Sequence, residues 1–157
     1  MSSQLTSWDG PFGLPDFRST NDSGFSQAFD KAMAAHNAEI AAVTSNAAEP
    51  TIENTLAALE LSGEALSRVS SLFWLKAGAH TNPDIEALER EISPKLSRHY
   101  SAISMNKALF ERIDDLHTRR DALGLDAETR RVLEEGWKGF VRAGAKLGGP
   151  EQARLTD

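Results

Sequence analysis

Residues 50–80 read PTIENTLAALELSGEALSRVSSLFWLKAGAH. Apolar side chains fall at Ile52, Leu56, Leu59, Leu66, Val69, Phe73 and Ala77, with Gly63 in the one vacant step. Steps of three, four and seven place all of them on one side of an α-helix. The spacing predicts one central helix of roughly 25 residues, about 38 Å long. Leu61, Leu72, Trp74 and Leu75 widen its apolar face at the flanks. Thr51 and Asn54 are both suitable N-caps, and the sequence does not choose between them. Gly63 costs about 1 kcal/mol in a helix interior, so its place on the stripe predicts that another backbone passes close by. Glu64 and Arg68 form a well-oriented i,i+4 pair on the flank.

Working outward, residues 1–22 read as an extended arm, because Gly10, Pro11, Gly13 and Pro15 interrupt any helix. Trp8, Phe12, Leu14 and Phe17 can pin that arm to a neighbouring surface. A helical domain is expected over residues 23–149. Asp22 or Ser23 caps its first helix, over residues 24–45, whose inward stripe is Phe25, Phe29, Ala32, His36, Ile40 and Val43. Beyond the central helix, Asn82, Pro83 and Asp84 are a cap, a first-turn proline and an acid at the positive dipole end. The helix they open carries Ile85, Leu88, Ile92, Leu96, His99 or Tyr100, and Ile103. Pro94 within it predicts a kink over residues 90–93.

Asn106 caps a fourth helix bearing Leu109, Phe110, Ile113, Leu116 and Arg120, closed by Gly124. Asp126 caps a fifth with Leu133, Trp137, Phe140, Ala143 and Leu147, stopped by Gly148, Gly149 and Pro150. Gly136, Gly139 and Gly144 would permit close contact with another helix. Residues 150–157 read as the start of a truncated sixth helix. The expected class is all-α: an antiparallel bundle of about five helices with an extended N-terminal arm.

Several segments occur in an order that identifies a family. These are PTIENT, then ALE-x-SGE-x-LSRVSSLF and AHTN, then LF-x-RID, RR-x-x-LGLD-x-ETRR and FVRAGAKL. The chain resembles, over residues 14–155, the N-terminal region of peptidyl-dipeptidases in the thimet oligopeptidase family of zinc metallopeptidases. None of these segments is catalytic. The resemblance implies a parent enzyme that hydrolyses short peptides in a deep channel, with these helices as one wall. It implies zinc in the full-length parent, and a C-terminal catalytic domain beyond this chain as its partner. The proline in the third helix departs from what the family leads one to expect.

Composition narrows the alternatives. With 17 basic and 23 acidic residues the net charge is −6, and no basic stripe exists to displace counterions from nucleic acid. Cysteine is absent, which removes disulfides and thiolate chemistry and suits a reducing compartment. The first ten residues lack a secretory pattern and no apolar run is long enough to cross a bilayer. The expectation is a cytoplasmic protein with neither nucleic-acid nor membrane partners.

Zinc-dependent peptide hydrolysis needs two histidines on one helix face and a glutamate as base, as in H-E-x-x-H. His36, His80, His99 and His117 include no pair three or four apart, and none precedes a glutamate. No catalytic, cofactor-binding or metal residue is therefore assigned in this chain. His36 reads as a hydrogen-bonded core residue and His80 as a helix-to-loop junction. His99 and His117 are expected at the surface or its boundary. Asp114 with Asp115, and Glu134 with Glu135, read as a solvated charged face beside Arg119, Arg131 and Lys138. Two functions remain: a non-catalytic domain of a zinc peptidase, or a free-standing helical interaction module. A domain cut from a larger enzyme would leave apolar surface at Phe12, Phe17, Trp74 and the helix from Pro150, and would pair as a symmetric dimer.

Overall fold

In the computed structural model, which describes residues 3–8, 10–17 and 21–147, the stretch whose periodicity predicts one central helix forms two. Thr51 caps the first in a reciprocal box. Asn54 N–H donates to Thr51 Oγ1 at 3.1 Å, and Thr51 N–H donates to Asn54 Oδ1 at 2.9 Å. Both candidate caps are thus used, one from each side. The segment starts as a wide π-helix, Ile52–Ala57, and continues as one turn of α3, Ala58–Glu60. Gly63 then takes φ +75°, in the left-handed region, and α4, Glu64–Ala79, begins anew. What approaches Gly63 is not a backbone but the His36 ring, 2.9 Å from where a Cβ would stand. Gly63 N–H also donates to the Glu39 carboxylate at 2.6 Å.

The other elements are α1, Ser3–Thr6; α2, Phe25–Thr44; α5, Pro83–Ser104; α6, Lys107–Arg119; and α7, Ala127–Arg142. No strand occurs among the described residues, so the chain is all-α. Asn82 Oδ1 accepts from Asp84 N and Ile85 N at 3.0 and 2.9 Å, capping α5. Asn106 and Asp126 cap α6 and α7, accepting from Leu109 N and Thr129 N. Helix α5 remains α-helical through Pro94 to Ser104.

Several ends differ from the sequence reading. The cap before α2 is Asn21, which accepts from Ser23 N at 3.2 Å and opens a 3-10 turn, Asp22–Gly24. Asp22 is instead occupied by Lys76 and by Asn82. Helix α7 stops at Arg142 rather than at Gly148. Gly144, at φ +90°, closes it: Ala145 N–H reaches Phe140 O and Gly144 N–H reaches Val141 O. Leu147 consequently lies outside the helix. Gly136 and Gly139 face open space, not a close neighbour. The arm is partly helical, with α1, packed on α4, and a 3-10 turn at Pro11–Gly13. The stop at Gly148, Gly149 and Pro150 and the helix over residues 150–157 lie outside the described residues.

The chain divides into two compact units, Met1–Glu39 with Ser62–Arg98, and Ile40–Leu61 with His99–Asp157. In the first, Phe25, Ala28, Phe29 and Ala32 of α2 meet Leu66, Val69, Leu72 and Phe73 of α4 and Ile85, Ile92 and Leu96 of α5. The Phe73 ring packs edge-on against Phe25 and Phe29, with centroids 5.3 and 5.4 Å apart. Leu5 of α1 is buried there too. In the second, Ile40, Val43 and Leu56 join Leu109, Phe110, Ile113 and Leu116 of α6 and Leu133 and Phe140 of α7. Each such side chain contributes about 1.5–3 kcal/mol on burial. The apparent single stripe of residues 52–77 therefore feeds two cores, divided at Gly63.

Candidate functional site

The four histidines have four separate settings. His36 is buried, and its Nε2 lies 3.1 Å from Ser62 Oγ. Burial holds its pKa below the ordinary histidine value, against the pull of Glu39. His80 is exposed at the C-terminal end of α4, where its N–H donates to Lys76 O. His99, expected at the boundary, is buried, because α5 turns position 99 inward and leaves Tyr100 exposed. The His117 ring stacks on Trp137 at 4.1 Å and 7°. Burial lowers the His117 pKa, Arg120 and Lys146 add to that, and Asp114 and Glu134 oppose it. Among the described residues no three His, Asp or Glu side chains converge to hold a metal ion.

The acid pairs are tied down individually. Asp114 accepts from Trp137 Nε1 at 2.6 Å, so it belongs to the His117–Trp137 stack and not to a free charged face. Asp115 pairs with Arg119, Glu134 with Arg120, and Glu135 with both Lys138 and Arg131. Held at these positions, they support the helices and do not present two unengaged carboxylates to a substrate.

One polar residue escaped the sequence reading. Arg112 is buried and donates to Asn46 O at 2.8 Å, Ala48 O at 3.2 Å, Asn54 Oδ1 at 2.9 Å and Thr55 Oγ1 at 3.2 Å. Its guanidinium thereby fastens the α2-to-π-helix connection to α6. The signal was available: Leu109, Arg112, Ile113 and Leu116 stand at i, i+3, i+4 and i+7, with the arginine on the apolar face.

What the surface offers is apolar concavity. In the first unit Phe17, Leu72, Leu75, Lys76, Ala79 and His80 line a cleft of about 270 Å³. Two surfaces the sequence marked separately, the arm and the flank of α4, thus meet in one place. Phe12, fully exposed at φ +61°, tips the loop that precedes it. In the second unit a groove of about 370 Å³ is lined by Ile52, Leu56, Ala57 and Leu61, by Val132 and Thr129 of α7, and by Glu60 and Glu128. Neither has the donor set of a catalytic centre; both are shaped to receive apolar side chains.

No family model matches the chain. It is 40% identical over 145 residues to the dipeptidyl carboxypeptidase of Escherichia coli, a match covering 92% of this chain. The dipeptidyl carboxypeptidase of Salmonella typhimurium is 39% identical over the same length. The chain spans 21% of the length of each of these relatives.

Proposed function

We propose that this chain, a relative of the dipeptidyl carboxypeptidases over nearly all of its length, is a non-catalytic N-terminal helical domain of a zinc metallopeptidase. In that role it forms one wall of the channel that admits short peptides, in the cytoplasm. The observation that carries this reading is the match of 145 residues to about a fifth of each relative. Among the described residues the histidines do not converge on a zinc site: His36 is bonded to Ser62, His99 is buried, His117 is stacked on Trp137, and His80 is exposed at the end of α4. No step of hydrolysis is assigned to them. The chain's work here is to shape a wall and to dock it, through the exposed Phe17 and Leu75, against the rest of the enzyme. By the same argument the isolated chain pairs as a symmetric dimer through that face, which light scattering over a concentration series checks.

A chimera tests the reading. The matching fifth of the Escherichia coli enzyme is replaced by this chain, and release of C-terminal dipeptides is measured. Activity within about tenfold of the parent supports the domain role. A chimera that folds, judged by its melting transition, yet releases no dipeptide overturns it. The rival reading, a free-standing helical interaction module, is favoured by the open groove of the second unit.

A further inference from the structure

The groove of the second unit has a floor and a rim of different chemistry. Ile52, Leu56, Ala57, Leu61 and Val132 make the floor, and Glu60 and Glu128 stand at its edge. Leu61 is 79% exposed, an unusual setting for a leucine next to other apolar side chains. It is exposed because the chain turns away at Gly63, so no further helical turn covers it. One wall is the π-helical segment, a form found often where helices are shaped for function.

No described residue neutralises the rim charge by an ion pair. Among the described residues no ion pair engages Glu60 or Glu128, while the nearest cations along α7 are taken: Arg130 by Asp121 at 2.7 Å and Arg131 by Glu135 at 3.4 Å. An apolar trough flanked by two open carboxylates is complementary to one kind of partner.

We infer that this groove is a docking site for a basic amphipathic helix of another polypeptide. Apolar side chains at i, i+3 and i+4 fill the floor, and flanking lysines or arginines meet Glu60 and Glu128. The occupant follows from the lining alone and does not depend on the channel-wall reading.

The probe is an amidated peptide of about a dozen residues, with leucines at i, i+3 and i+4 and lysines beside them. It is titrated into the 157-residue chain by calorimetry and by amide chemical-shift mapping. Shifts are expected on residues 52–61 and 128–132. The pair Glu60→Lys/Glu128→Lys should weaken binding about tenfold or more, whereas Glu86→Lys/Glu111→Lys, with the same change in net charge, should weaken it less than about twofold. Glu60→Gln/Glu128→Gln, milder for the first turn of α7, should give an intermediate loss. Equal losses in the control pair overturn the inference, as does equal binding of a peptide with glutamates in place of the lysines. Shifts scattered over the acidic surface, or no binding, also overturn it.

Discussion

Gly63→Ala separates the two ways of reading residues 50–80. In a continuous helix the change would stabilise by about 1 kcal/mol, since alanine is the better helix former. Here Gly63 sits at φ +75°, where an L-residue is strained by roughly 1–2 kcal/mol. Its new Cβ would also stand 2.9 Å from His36 Cε1 and Nδ1. The ring cannot swing freely, because His36 is buried and its Nε2 meets Ser62 Oγ at 3.1 Å. Overpacking of this kind costs about 1–3 kcal/mol. The expected loss is therefore about 2–5 kcal/mol, read by urea melts followed by circular dichroism. Two further variants divide it. In a His36→Ala background, Gly63→Ala should cost only the backbone part, about 1–2 kcal/mol. Gly63→Asn, which tolerates the left-handed region, should retain the crowding against His36. A Gly63→Ala protein as stable as the parent, or more so, would refute the break and restore the single helix.

Other expectations can be checked with the same melts. Arg112→Lys keeps the charge but loses the planar fork, leaving the buried Thr55 hydroxyl and half-buried acceptors at Asn46 and Asn54 short of a donor, and should cost on the order of 3 kcal/mol. Thr51→Ala removes one side of the capping box and should cost about 1 kcal/mol. Phe73→Ala should cost about 3–5 kcal/mol, while Glu64→Ala, on an exposed pair, should cost less than about 0.5 kcal/mol. The pH dependence has a definite sign. His36 and His117 both lie below the ordinary histidine value of 6.5 in the folded chain, so acidification protonates the unfolded state first. Stability is fully present above the ordinary histidine value and is lost as pH falls through it toward the folded pKa values. Melts across that window should show a smaller loss in His36→Gln than in the parent.

The legible parts of the fold were those with local causes. Asn82, Asn106 and Asp126 cap helices because a short polar side chain ahead of an apolar period has one dominant use. The break at Gly63 was hidden because Leu59 and Leu66 are seven apart and keep helical phase across it. Only the His36 ring, distant in sequence, shows why a glycine is required there. The π-helix was hidden for a related reason: Ile52, Leu56 and Leu59 fit an α-helical period without it. At the end of α7, Gly144 closes the helix because a left-handed residue can close two backbone bonds at once. The grooves were legible only in part. Trp74 and Phe17 are expected as exposed apolar residues and Leu75 as a flank of the apolar face, but nothing local reveals that Phe17 and Leu75 line one cleft, or that Leu61 and Val132 share another.

Arg112 also imposes an order of events on a chain being synthesised. Its four acceptors precede it by 57 to 66 residues. At about 5–20 residues per second, the ribosome needs roughly 3–13 s to add that length. For those seconds the carbonyls of Asn46 and Ala48 are emergent with no guanidinium to meet them, and water is their only partner. Contacts of such long range also slow folding, because the loop must close before they reward it. The connection over residues 45–51 thus stays within reach of proteases and chaperones for those seconds. It becomes locked only when α6 clears the exit tunnel.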